Sequence, residues 1–404
     1  MNPSLTFEQL NQVAATYGTP LYVYHGEKIE SQYQNLLTHF SPTTTRFFYA
    51  CKALTNIHIL NLIKNTGCNI DCSSINEVKL AKHAGFATEN ILYTSNSISF
   101  EEIKEAVSLG VHINIDSLSN LEKFGAAFGG RYPVGIRIRP DIMAGGNLKI
   151  STGHNKSKFG IPYTEKDAIK NIQTKYNIQI SALHIHTGSE IKDVDVFLQS
   201  ANVFEALLPD FPTVHILDFG GGFKVPYMPE EKGTDIALLG KEVNRIMEKI
   251  SNAVGRKLIA WFEPGKYLVS ESGYFITRVN VLKKSGEITF AGINSGLNHL
   301  IRPMFYDAYH HIINITSPHK ELKKYAVVGN ICETDTFAWD RPIASIEEGD
   351  FLVFFNAGAY GFEMSSNYNA RFKPAQVLYK NGKANLISRA DTFEDLLRLQ
   401  TPLS

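Results

Sequence analysis

The sequence predicts an α/β fold, an eight-stranded parallel βα (TIM-like) barrel joined to an all-β domain that is itself a barrel or sandwich. Three observations predict it. Apolar runs of strand length recur eight times, at 47–50, 69–72, 91–94, 112–116, 134–139, 182–186, 215–219 and 258–262. The first five start about 22 residues apart, room for one strand and one helix each. After about residue 272 the grammar changes to short alternating runs split by turn residues. Strands that are apolar throughout are buried on both faces, as parallel strands are. A doubly wound open sheet is the rival arrangement. Eight units in roughly 220 residues suit a closed barrel better, and no Gly-x-Gly-x-x-Gly follows the first strand.

The elements follow in order. Thr6 and Gln9 form a capping box for an opening helix that Gly18 ends. A strand at 21–24 and a helix to about residue 39 come next. Ser74 with Glu77, Ser99 with Glu102 and Ser119 with Glu122 repeat the Ser-x-x-Glu start signal, and Gly67, Gly85 and Gly110 close helices. Ile103, Ala106 and Val107 mark the apolar face of one of them. Later strands are expected at 274–282, 325–328, 351–355 and 375–379, with turns at Lys284-Ser-Gly286, Glu348-Gly-Asp350 and Asn381-Gly382. The strand at 21–24 has no place in the count of eight and is expected to join the β domain. The expected domains are thus 26–272 for the barrel, and 1–25 with 273–404 for the β domain. No low-complexity linker parts them, so tight packing is expected.

Composition narrows the function. The chain has 404 residues, 44% hydrophobic and 20% charged, an ordinary globular balance. Forty basic and forty acidic residues cancel, which argues against nucleic acid and polybasic membrane contact. No apolar run nears the roughly 20 residues that span a bilayer. The opening Met-Asn-Pro-Ser lacks a signal peptide's basic start and apolar core. Four cysteines, Cys51, Cys68, Cys72 and Cys332, fit a reduced cytoplasm better than a disulfide framework. Cys68 and Cys72 are too few to bind zinc and are expected to be packed thiols.

A barrel keeps its chemistry at the C-terminal ends of its strands. Those ends carry Lys52, Asp71, Asn96, Arg139, His186, Gly220-Gly221-Gly222 and Glu263. Singly, these are a solvated lysine, a flexible turn and a strand-end acid; their common rim is the signal. Three glycines let the backbone approach an anion. A lysine beside a phosphate site suggests pyridoxal phosphate, which condenses with an amine, and Glu263 could pair with its ring nitrogen. His184 and His186 point the same way. His186, nearer the rim, could lie flat on that ring or be a core histidine. A metal is less favoured, for want of nearby carboxylate or cysteine ligands.

The chain at this point resembles the barrel-type pyridoxal-phosphate-dependent amino-acid decarboxylases. The matching segments are Tyr49-Ala-Cys-Lys-Ala53, His184-Ile-His-Thr-Gly-Ser-Glu190, Asp218-Phe-Gly-Gly-Gly-Phe223, Glu263-Pro-Gly265, Leu300-Ile-Arg-Pro-Met-Phe-Tyr-Asp-Ala-Tyr-His310, Cys332-Glu-Thr-Asp335, Gly358-Ala-Tyr-Gly361, Asn369-Ala-Arg-Phe-Lys-Pro374 and Asp391-Thr-Phe-Glu-Asp-Leu396. They run nearly end to end. The likeness is closest to members that convert meso-2,6-diaminopimelate to L-lysine and carbon dioxide, the last step of lysine biosynthesis. It implies that Lys52 is the Schiff-base lysine, that His186 stacks on the ring and that Ser189 helps hold the phosphate. Gly220, Gly221, Gly222 and the turn Glu263, Gly265, Lys266 complete the cradle, with Glu263 also facing the ring nitrogen. Tyr360 borders cofactor and substrate. Arg302, Tyr306, Glu333 and the Lys266 corner bind substrate, and Cys332 donates the final proton. Cys332 and Glu333 are expected from a partner subunit, in a homodimer with shared active sites.

Three positions depart from the family's pattern. Leu54 replaces an asparagine, Ser74-Ile-Asn-Glu77 replaces Ser-x-Gly-Glu, and Lys266 replaces an arginine. Lysine keeps the charge and loses the two-point fork. Alternative readings are an ornithine- or arginine-type decarboxylase, a racemase on the same barrel, and a non-catalytic homologue. The first would lack a receptor for a second carboxylate, the second has no need of the Cys332 segment, and the intact Lys52 argues against the third.

Overall fold

The computed structural model describes residues 4–142, 152–154 and 156–401. The chain forms two compact units, one of Glu30–Val225 with Lys232–Leu268 and one of Met1–Ile29, Pro226–Glu231 and Val269–Ser404.

The first unit is a closed barrel. Its strands are β2 (Thr45–Ala50), β3 (Asn69–Cys72), β4 (Ile91–Thr94), β5 (His112–Ile115), β6 (Val134–Arg139), β8 (Ile180–His184), β9 (Ile216–Asp218) and β10 (Ile259–Phe262). Each pairs in parallel with its neighbours, β10 pairs with β2, and the β5–β6 pairing completes the ring. A two-residue strand β7 (Ile161–Pro162) adds to β6 outside the ring. Alternation along the strands sorts the side chains. Phe48, Leu92, Ala182, Ile216 and Trp261 form an apolar plug. Two residues beyond Ala182, Ile216 and Trp261 stand His184, Asp218 and Glu263, joined by Asp71 of β3 and Arg137 of β6, all buried. Polar groups above an apolar plug are poorly solvated, which governs their chemistry below.

Ser74 and Ser99 cap their helices by accepting from the backbone N–H groups of Glu77 and Glu102. The third expected box differs. The cap is Ser117, which accepts from the Asn120 N–H, so Ser119 lies inside Leu118–Phe128. Glu122 instead pairs with Lys175 and Tyr176 of the next helix.

The second unit is built on a mostly antiparallel sheet. Its strand β1 (Leu21–His25) lies antiparallel to β11 (Gly273–Ser285) and parallel to β17 (Ala375–Lys380). The opening helix Phe7–Tyr17 buries Leu10, Val13 and Ala14 against Leu21, Val23, Ile276, Val353 and Val377. Asn381 and Gly382, both at positive φ, turn β17 directly into β18 (Lys383–Ser388). That is the Asn-Gly hairpin chemistry that the sequence signals.

Candidate active site

In the barrel unit, β2 ends in a short turn, Cys51–Ala53, that presents Lys52 at the rim. Its ammonium lies 3.0 Å from Asp71 Oδ2 at the end of β3, with the Lys52 side chain 41% exposed and that of Asp71 buried. Burial, helped by Glu263 and opposed by Lys52, pushes the Asp71 carboxyl up to about 7.

Glu263 follows β10 and faces β8, with His184 Nε2 3.5 Å from Oε1. Burial alone would raise the Glu263 carboxyl. The facing His184 and the Lys52 charge outweigh it and hold Glu263 well below the usual carboxylate range. Burial lowers His184, against the facing Glu263, which raises it. It also lowers His186, joined by the Arg137 charge, to about 3. Asp218 goes the other way: burial and Glu263 raise it well above its ordinary value.

The loop after β9 could not be built from other residues. Gly220 sits at φ +65, and a Cβ there would fall 2.5 Å from His186 Nδ1. A Cβ on Gly221 would fall 2.2 Å from the Glu263 carbonyl oxygen. The Gly220 N–H donates to Asp218 Oδ1 at 2.9 Å, and the Gly221 N–H donates to His186 Nδ1 at 3.2 Å. Since Nδ1 accepts, a neutral His186 carries its proton on Nε2. Ser189 is half-buried between His186 and Glu190. Lys266, after Gly265, is buried and ion-paired with Glu190.

These residues fit pyridoxal phosphate. Asp71, Asp218 and Glu263 confront the cations Lys52 and Arg137, one carboxyl more than cation, and burial favours the protonated forms of Asp71 and Asp218. Asp71 Oδ1, Asp218 Oδ2, Glu263 Oε1 and both His184 ring nitrogens are buried without a hydrogen-bond partner. A protonated ring nitrogen would supply a donor to these buried acceptors, Glu263 Oε1 among them. Ligand atoms of His184, Asp218 and Glu263 lie within 4.8 Å of one another, a spacing that could also hold a metal ion. The sequence argument against a metal assumed that no carboxylate lay near these histidines; two do.

The β unit carries the remaining candidates in two groups. Arg302 opens the short helix Arg302–Tyr306, buried, with its guanidinium 5.1 Å from the Tyr227 ring and 5.9 Å from the Tyr306 ring. Arg302 Nε is buried without a hydrogen-bond partner. Cys332 and Glu333 lie exposed beside Tyr368 and Asn369. Tyr368 Oη donates to Glu333 Oε1 at 2.7 Å and lies 3.7 Å from Cys332 Sγ. Asn369 accepts from the Cys332 N–H at 3.0 Å and donates to its sulfur at 3.2 Å. Tyr360 sits at φ +56, half-buried.

Lys52, His186, Ser189, Gly220, Gly221, Gly222, Glu263, Gly265 and Lys266 therefore belong to one unit, and Arg302, Tyr306, Cys332, Glu333 and Tyr360 to the other. Arg139, picked from the rim, is committed locally to Asp141 and to the Ser157 carbonyl. Sequence reasoning missed Arg137, although it shares the inward alternation of β6 with Arg139. It also missed Tyr368 and the Lys266–Glu190 pair, for which no sequence signal existed.

A parallel barrel with a rim lysine, a buried acid beside it and a glycine loop defines a pyridoxal-phosphate enzyme. The family model for the pyridoxal binding domain of pyridoxal-dependent decarboxylases matches residues 26–270, and the chain belongs to this family. It is similar to diaminopimelate decarboxylase of Methanothermobacter thermautotrophicus, 38% identical over 403 residues, 96% of this chain and 93% of that one. A crystal structure of diaminopimelate decarboxylase superposes with a TM-score of 0.90 at 32% identity, covering 99% of this chain and 98% of that one. The Helicobacter pylori diaminopimelate decarboxylase complexed with L-lysine gives a TM-score of 0.88 at 30% identity, covering 98% and 99%. The chain is accordingly an enzyme of the decarboxylase class, and its cofactor is pyridoxal 5′-phosphate.

Proposed function

We infer that this protein removes carbon dioxide from meso-2,6-diaminopimelate and releases L-lysine. One observation carries the choice of substrate: Arg302 is a buried guanidinium whose Nε has no partner. Diaminopimelate ends, far from the reacting carbon, in an amine and a carboxylate on one carbon. Ornithine, arginine and lysine have no second carboxylate. Arg302 suits the distal carboxylate by two-point contact, Glu333 the distal amine, and Tyr306 offers a neutral hydrogen bond. Lys266 is the remaining cationic candidate at the substrate corner. The names of the relatives support the same reading.

Lys52 would hold the cofactor, and His186 would lie against its ring as a neutral imidazole. Gly220, Gly221 and Gly222 with Ser189, Gly265 and Lys266 would take the phosphate, and Tyr360 would border cofactor and substrate. When bound, the cofactor supplies an electron sink for the bond that breaks. Glu263, held ionised, keeps the ring nitrogen protonated. Cys332 Sγ gives a proton to the carbon that has lost carbon dioxide. We assign residues 26–272 to cofactor binding and 1–25 with 273–404 to the β domain. Each site draws Cys332 and Glu333 from the other subunit of a homodimer, and the protein works in the cytoplasm. No helix among the described residues is long and apolar enough to cross a membrane.

The test is carbon dioxide release from meso-diaminopimelate, ornithine, arginine and lysine. A preference for diaminopimelate of about 30-fold or more is expected, since the others leave a charged group unpaired. Equal efficiencies would overturn the assignment.

A further inference from the structure

Lys266 is buried to 8% exposure, and its ammonium needs a counter-charge there. Glu190 supplies it. That glutamate is held at φ +63, in the left-handed region that side-chain-bearing residues rarely adopt. Such backbone conformations persist where the surroundings enforce them, often at binding sites.

The pair lies among the loops read above as the phosphate site. Glu190 follows Ser189 directly. The Ile191 N–H donates to the Gly222 carbonyl at 2.8 Å, and a Cβ on Gly222 would fall 2.2 Å from the Gly188 carbonyl oxygen, so this loop and the glycine loop are in close contact. Lys266 follows Gly265 on the turn that begins at Glu263, and Gly221 packs against that turn. The Lys266–Glu190 ion pair thus holds a carboxylate on a lysine where these loops meet.

We propose that Glu190 is an internal stand-in for the cofactor's phosphate, which holds the Lys266 ammonium until phosphate arrives and competes with it afterwards. This rests on the reading that Ser189 and the glycine loop receive the phosphate. A lysine suits the exchange. It is a point charge on a flexible stem that can turn from one oxyanion to another, whereas an arginine fork is preorganised for one planar partner. Glu190 therefore sets how tightly the protein keeps its cofactor.

The experiment compares full-length wild type, Glu190→Gln and Glu190→Gly, each freed of cofactor and titrated with pyridoxal 5′-phosphate and with pyridoxal. Glycine suits the local φ, so the second variant removes the carboxylate and relaxes the backbone. Both variants should bind pyridoxal 5′-phosphate about tenfold more tightly than wild type, with pyridoxal changed less than about twofold. In a Lys266→Met background the gain from Glu190→Gln should vanish, because the released charge is no longer there. A gain of full size in that background overturns the proposal. So does unchanged or weaker binding by both variants while wild type still prefers the phosphorylated ligand. Wild type that binds both ligands equally overturns the phosphate-site reading, and the proposal with it.

Discussion

The two groups of candidate residues are built on opposite principles. In the barrel, Lys52, Asp71, Arg137, His184, Asp218 and Glu263 form a mostly buried set, three carboxyl groups facing two cations and a histidine, above an apolar plug. In the β unit, Cys332, Glu333, Tyr368 and Asn369 are exposed and tied by ordinary hydrogen bonds. Burial shifts protonation in the first group, where Asp71 rises and His186 falls. The second group holds its geometry without that help, so its electrostatics in water are screened and weak.

The largest test of that contrast removes Lys52. Lys52→Ala should fold, lose the yellow absorbance of the bound cofactor and lose turnover by on the order of 1,000-fold or more. A normal spectrum with retained activity would show that the buried set does not hold the cofactor. Arg302→Ala should follow, with the preference for diaminopimelate over ornithine falling by about 30-fold to several thousand-fold. An unchanged ratio of the two kcat/KM values would remove Arg302 from the substrate site.

Mixing asks whether the exposed group is completed by a second subunit. Lys52→Ala and Cys332→Ala homodimers should each be nearly inactive. After subunit exchange, activity should return to about a quarter of wild type, because half the dimers are mixed and one site in each is intact. No recovery despite verified exchange would defeat the shared-site arrangement.

Asp71 tests burial through pH. Its carboxyl titrates near 7 in the folded protein and near 4 when unfolded. Between those values the folded protein keeps a proton that the unfolded chain has released. Stability should therefore fall as pH rises through this window, by at most about 1.4 kcal/mol per unit from this group, and the slope should end above 7. Denaturant unfolding of cofactor-free Asp71→Asn at pH 5, 6 and 7 should show a flatter slope than wild type. The smallest effect belongs to the exposed group. Tyr368→Phe removes the hydroxyl that donates to Glu333. KM for diaminopimelate should rise about threefold to tenfold, with kcat little changed. Identical kinetics would make that hydroxyl incidental.

The barrel was readable because each strand is short, apolar and separated from the next by punctuated helices. Runs at 69–72, 91–94 and 134–139 coincide with β3, β4 and β6. The Ser119 box failed because Ser-x-x-Glu points to Ser119, whereas the cap is Ser117, whose third residue on is Asn120 and which the pattern therefore passes over. Residues on the strand ends announced themselves by position. Arg137 did not, because a charged residue inside a strand points inward or outward by alternation, and that needs the barrel's interior to be known. Tyr368 and Asn369 reach Cys332 across more than thirty intervening residues, a pairing that only the folded β unit creates. Glu190 was hidden within a matching motif, and its partner Lys266, expected at the phosphate cradle and the substrate corner, gave no sign of the pairing.

The glycine loop limits what can be redesigned. With Gly220 against His186 and Gly221 against the Glu263 backbone, no other side chain fits at either position. An engineer who wants this scaffold to accept a different amino acid gains nothing by diversifying a library there. On the proposed reading of the substrate site, the variable positions worth sampling are those around Arg302 and Glu333. The glycine loop is thus frozen in one part of the chain, while the proposed reading puts the choice of substrate in another.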